Sequence, residues 1–403
     1  MAHIFFKGIE LSPPSKYVVV HMDDTIIKKT GKKVKGTAWR RDPLGPPFHT
    51  NFIWGQRFIK LSLAIPQKQG IGPSRAIPIE FKHCPTASKP SNQACESEIE
   101  KYKEQLKQMN LNTYGSESIR SVREQMNQSN MEDKKLVTCV DGSYTNGVII
   151  KGLPENVSII GRTRKDLKLN FPVDKQPHTG RRKIYGKALP TPEEIRKSNQ
   201  YEWNEVEAWA CGKIHQFNIK EVKDVLWRKT GADHRLRMII IRPLGYRLRK
   251  NSRVLYRKPA YLLCNDLEMD IQDLIQFYVW RWEIEVNIGE AKSLLGVGQA
   301  QVRNEDPVHL VPAFLTAIYS LLHLAFIECK NSKIIDWVPR AKWYPKKENK
   351  RVTTGDLINI IKAQIHCKAI GVSFTHFINT QNELRSAKNS THPNIYGRFY
   401  ARA

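Results

Sequence analysis

The sequence predicts an α/β fold with a β-rich insertion and a helical C-terminal region, and three observations carry that expectation. Short β-branched runs end on acidic residues, amphipathic stretches of helical period alternate with them, and a Lys/Arg-rich, Pro-punctuated segment interrupts the pattern between residues 162 and 260.

Tyr17-Val-Val-Val-His21 is a buried-strand pattern that delivers Asp23 and Asp24 at its end. Two more apolar runs, 50–54 and 58–65, read as neighbouring strands joined by Gly55-Gln56-Arg57. Charged and apolar residues fall at helical spacing over 98–111, and a second helix is expected over 116–126. Leu136 to Val140 is again a strand ending on an acid, Asp141, with Gly142 and Asn146-Gly147 as turn signals; 157–161 adds a further strand. Strand-like pieces at 237–242 and 253–256 mark the insertion, 261–264 resumes a strand, and 270–295 is the most strongly periodic helix. The apolar run 310–326, broken by Pro312, Thr316, Ser320 and His323, reads as a buried helix, and another helix is expected over 356–366. These readings divide the chain into a first part of a core (15–161), the β-rich insertion (162–260), a second part of the core (261–330) and a basic, helical C-terminal region (331–403).

Composition narrows the class of partner. The 403 residues carry 65 Lys and Arg against 39 Asp and Glu, a formal charge of +26, which favours a polyanion through phosphate neutralisation and counterion release. The cations cluster at Lys28-Lys29 with Lys32-Lys33, at Arg181-Arg182-Lys183, and at Lys346-Lys347 with Lys350-Arg351, runs that are ordinarily solvated faces and that would contact a nucleic-acid backbone if the chain is an enzyme acting on DNA. Seven scattered cysteines form no CxxC pair, as expected of reduced thiols in a cytoplasmic protein, and the N-terminus shows no signal-peptide pattern.

The helix around residue 280 carries the chemistry. At ~100° per residue, with Tyr278 as the origin, Arg281, Glu285 and Lys292 fall within about 60° of it. Phe277, Trp280, Ile284, Ile288, Ala291 and Leu295 form a separate apolar stripe that would anchor the helix to a core. The polar face would thus lie beside the core, where a carboxylate is fixed by packing yet reaches substrate. Gly289 weakens the helix by about 1 kcal/mol relative to Ala, a cost that close approach of a backbone or nucleic-acid strand would offset. The bland alternative is a solvated Arg–Glu pair at i,i+4.

The spacing Y-x2-R-x3-E-x6-K, met by Tyr278, Arg281, Glu285 and Lys292, resembles the signature of bacterial insertion-sequence transposases of the cut-and-paste DDE kind. Asp24, directly before Thr25, and Asp141, in Val-Asp-Gly, resemble the first and second acids of that family. The resemblance covers 17–326 and implies a ribonuclease-H-like core, interrupted by the β-rich insertion between Asp141 and Glu285. It implies that Asp24, Asp141 and Glu285 are catalytic and hold two Mg²⁺, with Mn²⁺ able to substitute, and that Tyr278, Arg281 and Lys292 hold phosphates of the transposon end. The implied activity is cleavage and strand transfer on double-stranded DNA, by a homodimer in the DNA complex, in the bacterial cytoplasm at the nucleoid. Asp23 faces the opposite side of its strand from Asp24, so one of the two points at the metals, and Asp24 is the expected one because the family places its acid before Thr. His21 and Thr25 are candidate supports for that acid, although a histidine at the end of a strand is more often simply packed. Trp203, Trp209 and Trp227 in the insertion are either core or stacking partners for a displaced base. The first acid arrives only 24 residues in, without the preceding DNA-binding domain that relatives usually carry. Two alternatives therefore stand: a ribonuclease-H-like nuclease without strand transfer, and a catalytically silent, N-terminally truncated DNA-binding remnant.

Overall fold

The computed structural model describes residues 1–42, 45–46, 48–49, 51–174, 176, 180–248, 251–329, 352–374 and 376. It is a mixed α/β molecule in two compact units, residues 1–317 and 318–403.

The first unit is built on one large mixed sheet. Its first half comprises β1 (Tyr17–Lys28), the short edge strand β2 (Ala38–Arg41), β3 (Phe52–Pro66), β4 (Ser74–His83), β5 (Lys135–Val140) and β6 (Val157–Arg162). Strand β1 lies between antiparallel β3 and parallel β5, β5 pairs with parallel β6, and β3 also carries β4 and β2. Val18, Val19, Val20 and Met22 are buried, and so are Leu136, Val137, Cys139 and Val140. Both strands are covered on both faces, and their apolar runs are therefore continuous rather than alternating.

The insertion is β-rich, as its sequence predicts, but it does not form a sheet of its own. Strands β7 (Asn204–Ala210), β8 (Lys213–Leu226) and β9 (Arg235–Ile241) continue the main sheet through β12 (Ala260–Cys264), which pairs antiparallel with β6. A separate pair, β10 (Gly245–Tyr246) with β11 (Leu255–Tyr256), completes the strands. Within it Lys220 is buried, and its ammonium donates to the carbonyls of Ile195, Arg196 and Ser198 at the end of helix α5 (Pro192–Lys197), satisfying acceptors that the helix leaves open.

Helices α1 (Ala2–Glu10), α2 (Glu96–Gln108), α3 (Leu111–Gln128) and α4 (Gly147–Lys151) precede α5 in the chain; α1 was not expected from the sequence. The long helix expected over 270–295 is two, α6 (Ile271–Trp280) and α7 (Trp282–Leu294), meeting at Arg281. Arg281 keeps helical dihedrals, but its N–H bonds the carbonyl of Tyr278 and its carbonyl accepts from Ile284, a local i→i+3 tightening. The apolar stripe holds: Phe277, Trp280, Ile284 and Ala291 are buried. Polar anchors add to it. The Gln276 amide pairs with the backbone N–H and C=O of Trp209 on β7, and Asn287 donates to Ser62 and to the carbonyl of Ala76.

Helix α8 (Glu305–Glu328) starts in the first unit and ends in the second, and α9 (Thr354–Ala369) follows. Within the second unit Leu357, Ile360, Ala363 and Cys367 form a small core with Leu322 and Phe326. Among the described residues α8 is long and apolar enough to cross a membrane, and it is less buried than its sequence suggests, with Leu310, Phe314 and Leu321 exposed. The basic cluster at residues 346–351 and the polar tail lie outside the described residues.

Candidate active site

Strand register sets the site. In the parallel pairings Met22 faces Val140 and Val140 faces Gly161. One step further along each chain, Asp23, Asp141 and Arg162 therefore share a row, while on the other side Asp23 pairs directly with Lys60 of β3. The row reads cation, acid, acid, cation across four adjacent strands. Neighbours in one row point to one face, and α6 and α7 pack on that face: Tyr17 meets Phe277 edge-on, and Thr25 meets Lys292.

The two candidate first acids therefore separate. Asp23 lies on the α6–α7 side, where Arg281 reaches it at 3.4 Å, and the same guanidinium bonds Glu285 at 2.8 Å. Asp24 points to the opposite face. Its carboxylate accepts from Arg57 at 2.7 Å and from the Tyr144 hydroxyl at 2.8 Å, partners supplied by β3 and by the turn after β5. The expectation that Asp24 rather than Asp23 would stand with Asp141 and Glu285 is thus reversed in placement, and alternation of side chains along the strand is the physical reason.

Electrostatics single out Asp23. Burial pushes its carboxyl up to about 6; Arg281 and the Asp24 N–H oppose the shift, and the negative charges of Asp24 and Asp141 add to it. His21, two residues back and fully buried, is held down to about 3, first by burial and then by the Arg281 charge. The imidazole is therefore a neutral packing group beneath the guanidinium. Lys60, also buried, is pulled down to about 7 by desolvation and by Lys292, against the pull of Glu290. Tyr278 is pushed up by burial while Arg281 and Arg162 draw it back, and the Arg281 guanidinium sits 6.0 Å from its ring centre.

The remaining residues singled out from the sequence are mostly turned inward. Lys292 donates to the Thr25 hydroxyl at 2.7 Å and to the carbonyl of Ile26 at 3.1 Å, so it braces β1 just beyond the acids. Lys29 likewise spends its ammonium on the carbonyls of Gly298 and Ala300, while Lys28 pairs with Asp42. Gly289 has open space around it: among the described residues a Cβ there would meet nothing within 4 Å, so no described backbone accounts for it. Trp203 lies against Lys220 and Arg242, Trp227 is buried, and the Trp209 backbone is bound by Gln276, all of which suits packing.

Sequence reasoning missed Arg57, Tyr144, Lys60 and Arg162. Arg57 shares the face of Asp24 only through the register of β1 with β3, Arg162 lies one residue past the strand expected over 157–161, and no local pattern marks Tyr144. A close glycine also holds the second acid. A Cβ at Gly161 would come to 2.1 Å from the Thr145 hydroxyl, and that hydroxyl donates to the carbonyl of Asp141.

As for a divalent cation, Asp23 and Asp141 offer hard oxygen donors in one row, and a carboxylate raised by burial and by like charge is one that a cation would return to its charged form. A three-acid cage is not assembled. Among the described residues no group of three or more His, Cys, Asp or Glu is set to hold a metal ion, and the Arg281 guanidinium stands between Asp23 and Glu285. Comparison with known proteins finds no family model that matches the chain and no curated protein similar to it in sequence.

Proposed function

We propose that the chain is a DNA-strand-processing enzyme of the DDE transposase kind, acting on phosphodiesters of double-stranded DNA, with Asp23, Asp141 and Glu285 as its acids. The observation that carries this reading is the row of Asp23, midway along β1, and Asp141, just past the end of the adjacent parallel strand β5, with Glu285 tied to Asp23 through Arg281. Three antiparallel strands, β1, β3 and β4, continued by parallel β5 and β6, support the ribonuclease-H-like core that the resemblance implies. The charge of +26 supports DNA as the partner, and a dimer in the DNA complex belongs to the same reading.

In this mechanism Asp23 and Asp141 would hold a divalent ion, Mg²⁺ with Mn²⁺ as a substitute, which would supply Lewis acidity at the phosphodiester. Arg281 keeps Glu285 aimed at the acid row and offers its remaining N–H donors to a phosphate oxygen. Arg162, exposed at the far end of the row, provides a second cation for the DNA backbone. Lys292 fixes the register of Thr25 and Ile26, so the peptide carrying Asp23 does not shift when DNA presses on it. Above pH 6 Asp23 is a carboxylate and competent to bind a cation.

The test is Mg²⁺-dependent nicking of duplex DNA by the full chain and by single variants. Asp23→Asn, Asp141→Asn and Glu285→Gln abolish nicking while retaining DNA binding, and joining of the cut strand to a second duplex separates strand transfer from hydrolysis alone. Unchanged nicking by Asp23→Asn together with loss in a folded Asp24→Asn would sink the assignment of the first acid. Unchanged nicking in all three variants would sink the enzyme.

A further inference from the structure

Strands β2 and β3 carry an aromatic group that neither the core nor the acid row uses. In their antiparallel pairing Trp39 lies opposite Trp54 and Arg41 opposite Phe52. The two indoles meet edge-on with ring centres 5.5 Å apart. A cross-strand aromatic pair ordinarily stabilises a sheet, yet here Trp39 is 67% exposed and Phe52 is 60% exposed, so most of their area remains in water. The pair is nonetheless rigidly held. Between them in sequence Arg40 turns inward, buried, and its guanidinium donates to the carbonyl of Gly55 at 3.2 Å, while the Trp54 indole N–H donates to the carbonyl of Gly31 at 3.2 Å. That second bond brings the 29–37 connection, with exposed Lys32 and Lys33, against the aromatic group.

Alternation along β3 puts Trp54 and Phe52 on the face of Lys60, which is the face of Asp23. From Lys60 to Trp54 the strand runs about 20 Å, and Phe58 and Gln56 between them on that face are buried, so the exposed aromatic group lies beyond the covered part of the strand.

We propose that Trp39, Trp54 and Phe52, flanked by Arg41, Lys32 and Lys33, form a stacking platform for the unpaired bases of a single DNA strand. Flat, exposed indoles take the π-face of any base, and the cations beside them track the phosphates, so recognition is tolerant of sequence. Charge complementarity selects a polyanion over an apolar protein partner: the group is bordered by cations on a chain of net charge +26. The proposal rests on the DNA-processing reading for the source of the strand, but stacking is measured without cleavage.

The experiment compares fluorescein-labelled oligothymidylate with a blunt duplex of equal length, by anisotropy, on the full chain. Trp39→Ala weakens binding of the single strand by about five- to a hundredfold, as expected for one lost base stack, and leaves duplex affinity within about twofold. Trp39→Phe retains most of the affinity, and oligothymidylate quenches less tryptophan emission in Trp39→Ala than in the wild type. Trp39 is mostly exposed and its deletion removes only one cross-strand aromatic contact, so the alanine variant stays folded under the assay conditions. The platform is refuted by single-strand affinity that does not change, by an equal loss for both probes, or by a loss of self-association in sedimentation with oligothymidylate binding intact, which would make the patch a protein interface. None of these results depends on whether Asp23→Asn nicks DNA.

Discussion

Asp23 and Asp24 are adjacent in the chain and opposite in environment, so the same isosteric change has opposite consequences at the two positions. Asp24 accepts from Arg57 and Tyr144, and Asp24→Asn leaves a half-buried guanidinium without its carboxylate; a loss of about 1.5–3 kcal/mol, the range for hydrogen bonds to charged groups, is expected in thermal or denaturant unfolding. Asp23→Asn removes a charge that burial already disfavours, and its unfolding temperature at neutral pH is expected to equal or exceed the wild type. A stability loss at Asp23 matching that at Asp24 would contradict the placement. A second residue-scale prediction concerns Gly161. Its missing Cβ leaves room for the Thr145 hydroxyl that bonds the Asp141 carbonyl, so Gly161→Ala overpacks the turn, at a cost of about 1–3 kcal/mol. The variant is expected to lose nicking more than its stability loss explains, read as activity at a temperature where it remains fully folded.

At the scale of elements, period was legible and continuity was not. The β-branched runs at Tyr17 and Leu136 became β1 and β5, and the apolar stripe from Phe277 to Ala291 became the buried side of α6 and α7. Gly55-Gln56-Arg57 reads as a turn, yet it lies inside the single strand β3, because pairing with β1 on one side and with β2 on the other overrides the local glycine signal. The break at Arg281 left no mark in the sequence; it coincides with an i→i+3 tightening of the backbone at the residue whose guanidinium reaches both Asp23 and Glu285. Which acid of the Asp23–Asp24 pair faces Asp141 depends on the register of two strands more than a hundred residues apart, and single-chain periodicity carries no such information. The same sheet buries Lys60 opposite Asp23, and a pH prediction follows. Its folded value, about 7, lies below the ordinary lysine value of 10.5, so the unfolded chain binds more protons between those limits, and this residue's contribution to stability rises as pH climbs from about 7 to 10.5. Lys60→Met, which removes the buried ammonium, should raise the unfolding temperature relative to wild type most at or below pH 7, and the difference should shrink toward pH 10. A difference that is constant across that range would mean the lysine stays charged in place.

For the whole molecule the dominant quantity is the excess of cations, and under the proposed DNA-processing function it would make DNA affinity a function of salt. Each phosphate neutralised on B-DNA contributes about −0.9 to the slope of log K against log salt, so the slope counts the contacts. Many of the cations nearest the acids are already committed: Lys292 to Thr25 and Ile26, Lys29 to Gly298 and Ala300, Arg57 to Asp24. Arg162 differs, being exposed at the end of β6 in the acid row. Arg162→Gln is therefore expected to flatten the salt slope for duplex DNA by about one unit while leaving the unfolding temperature unchanged. Glu285→Gln, which removes a negative charge at the same place, is expected not to flatten it. Measured together over a salt titration, the two variants separate loss of a phosphate contact from loss of a catalytic carboxylate. A slope that Arg162→Gln leaves untouched would mean that duplex DNA crosses the sheet away from the Asp23–Asp141 row, and the active-site reading would then lack its substrate.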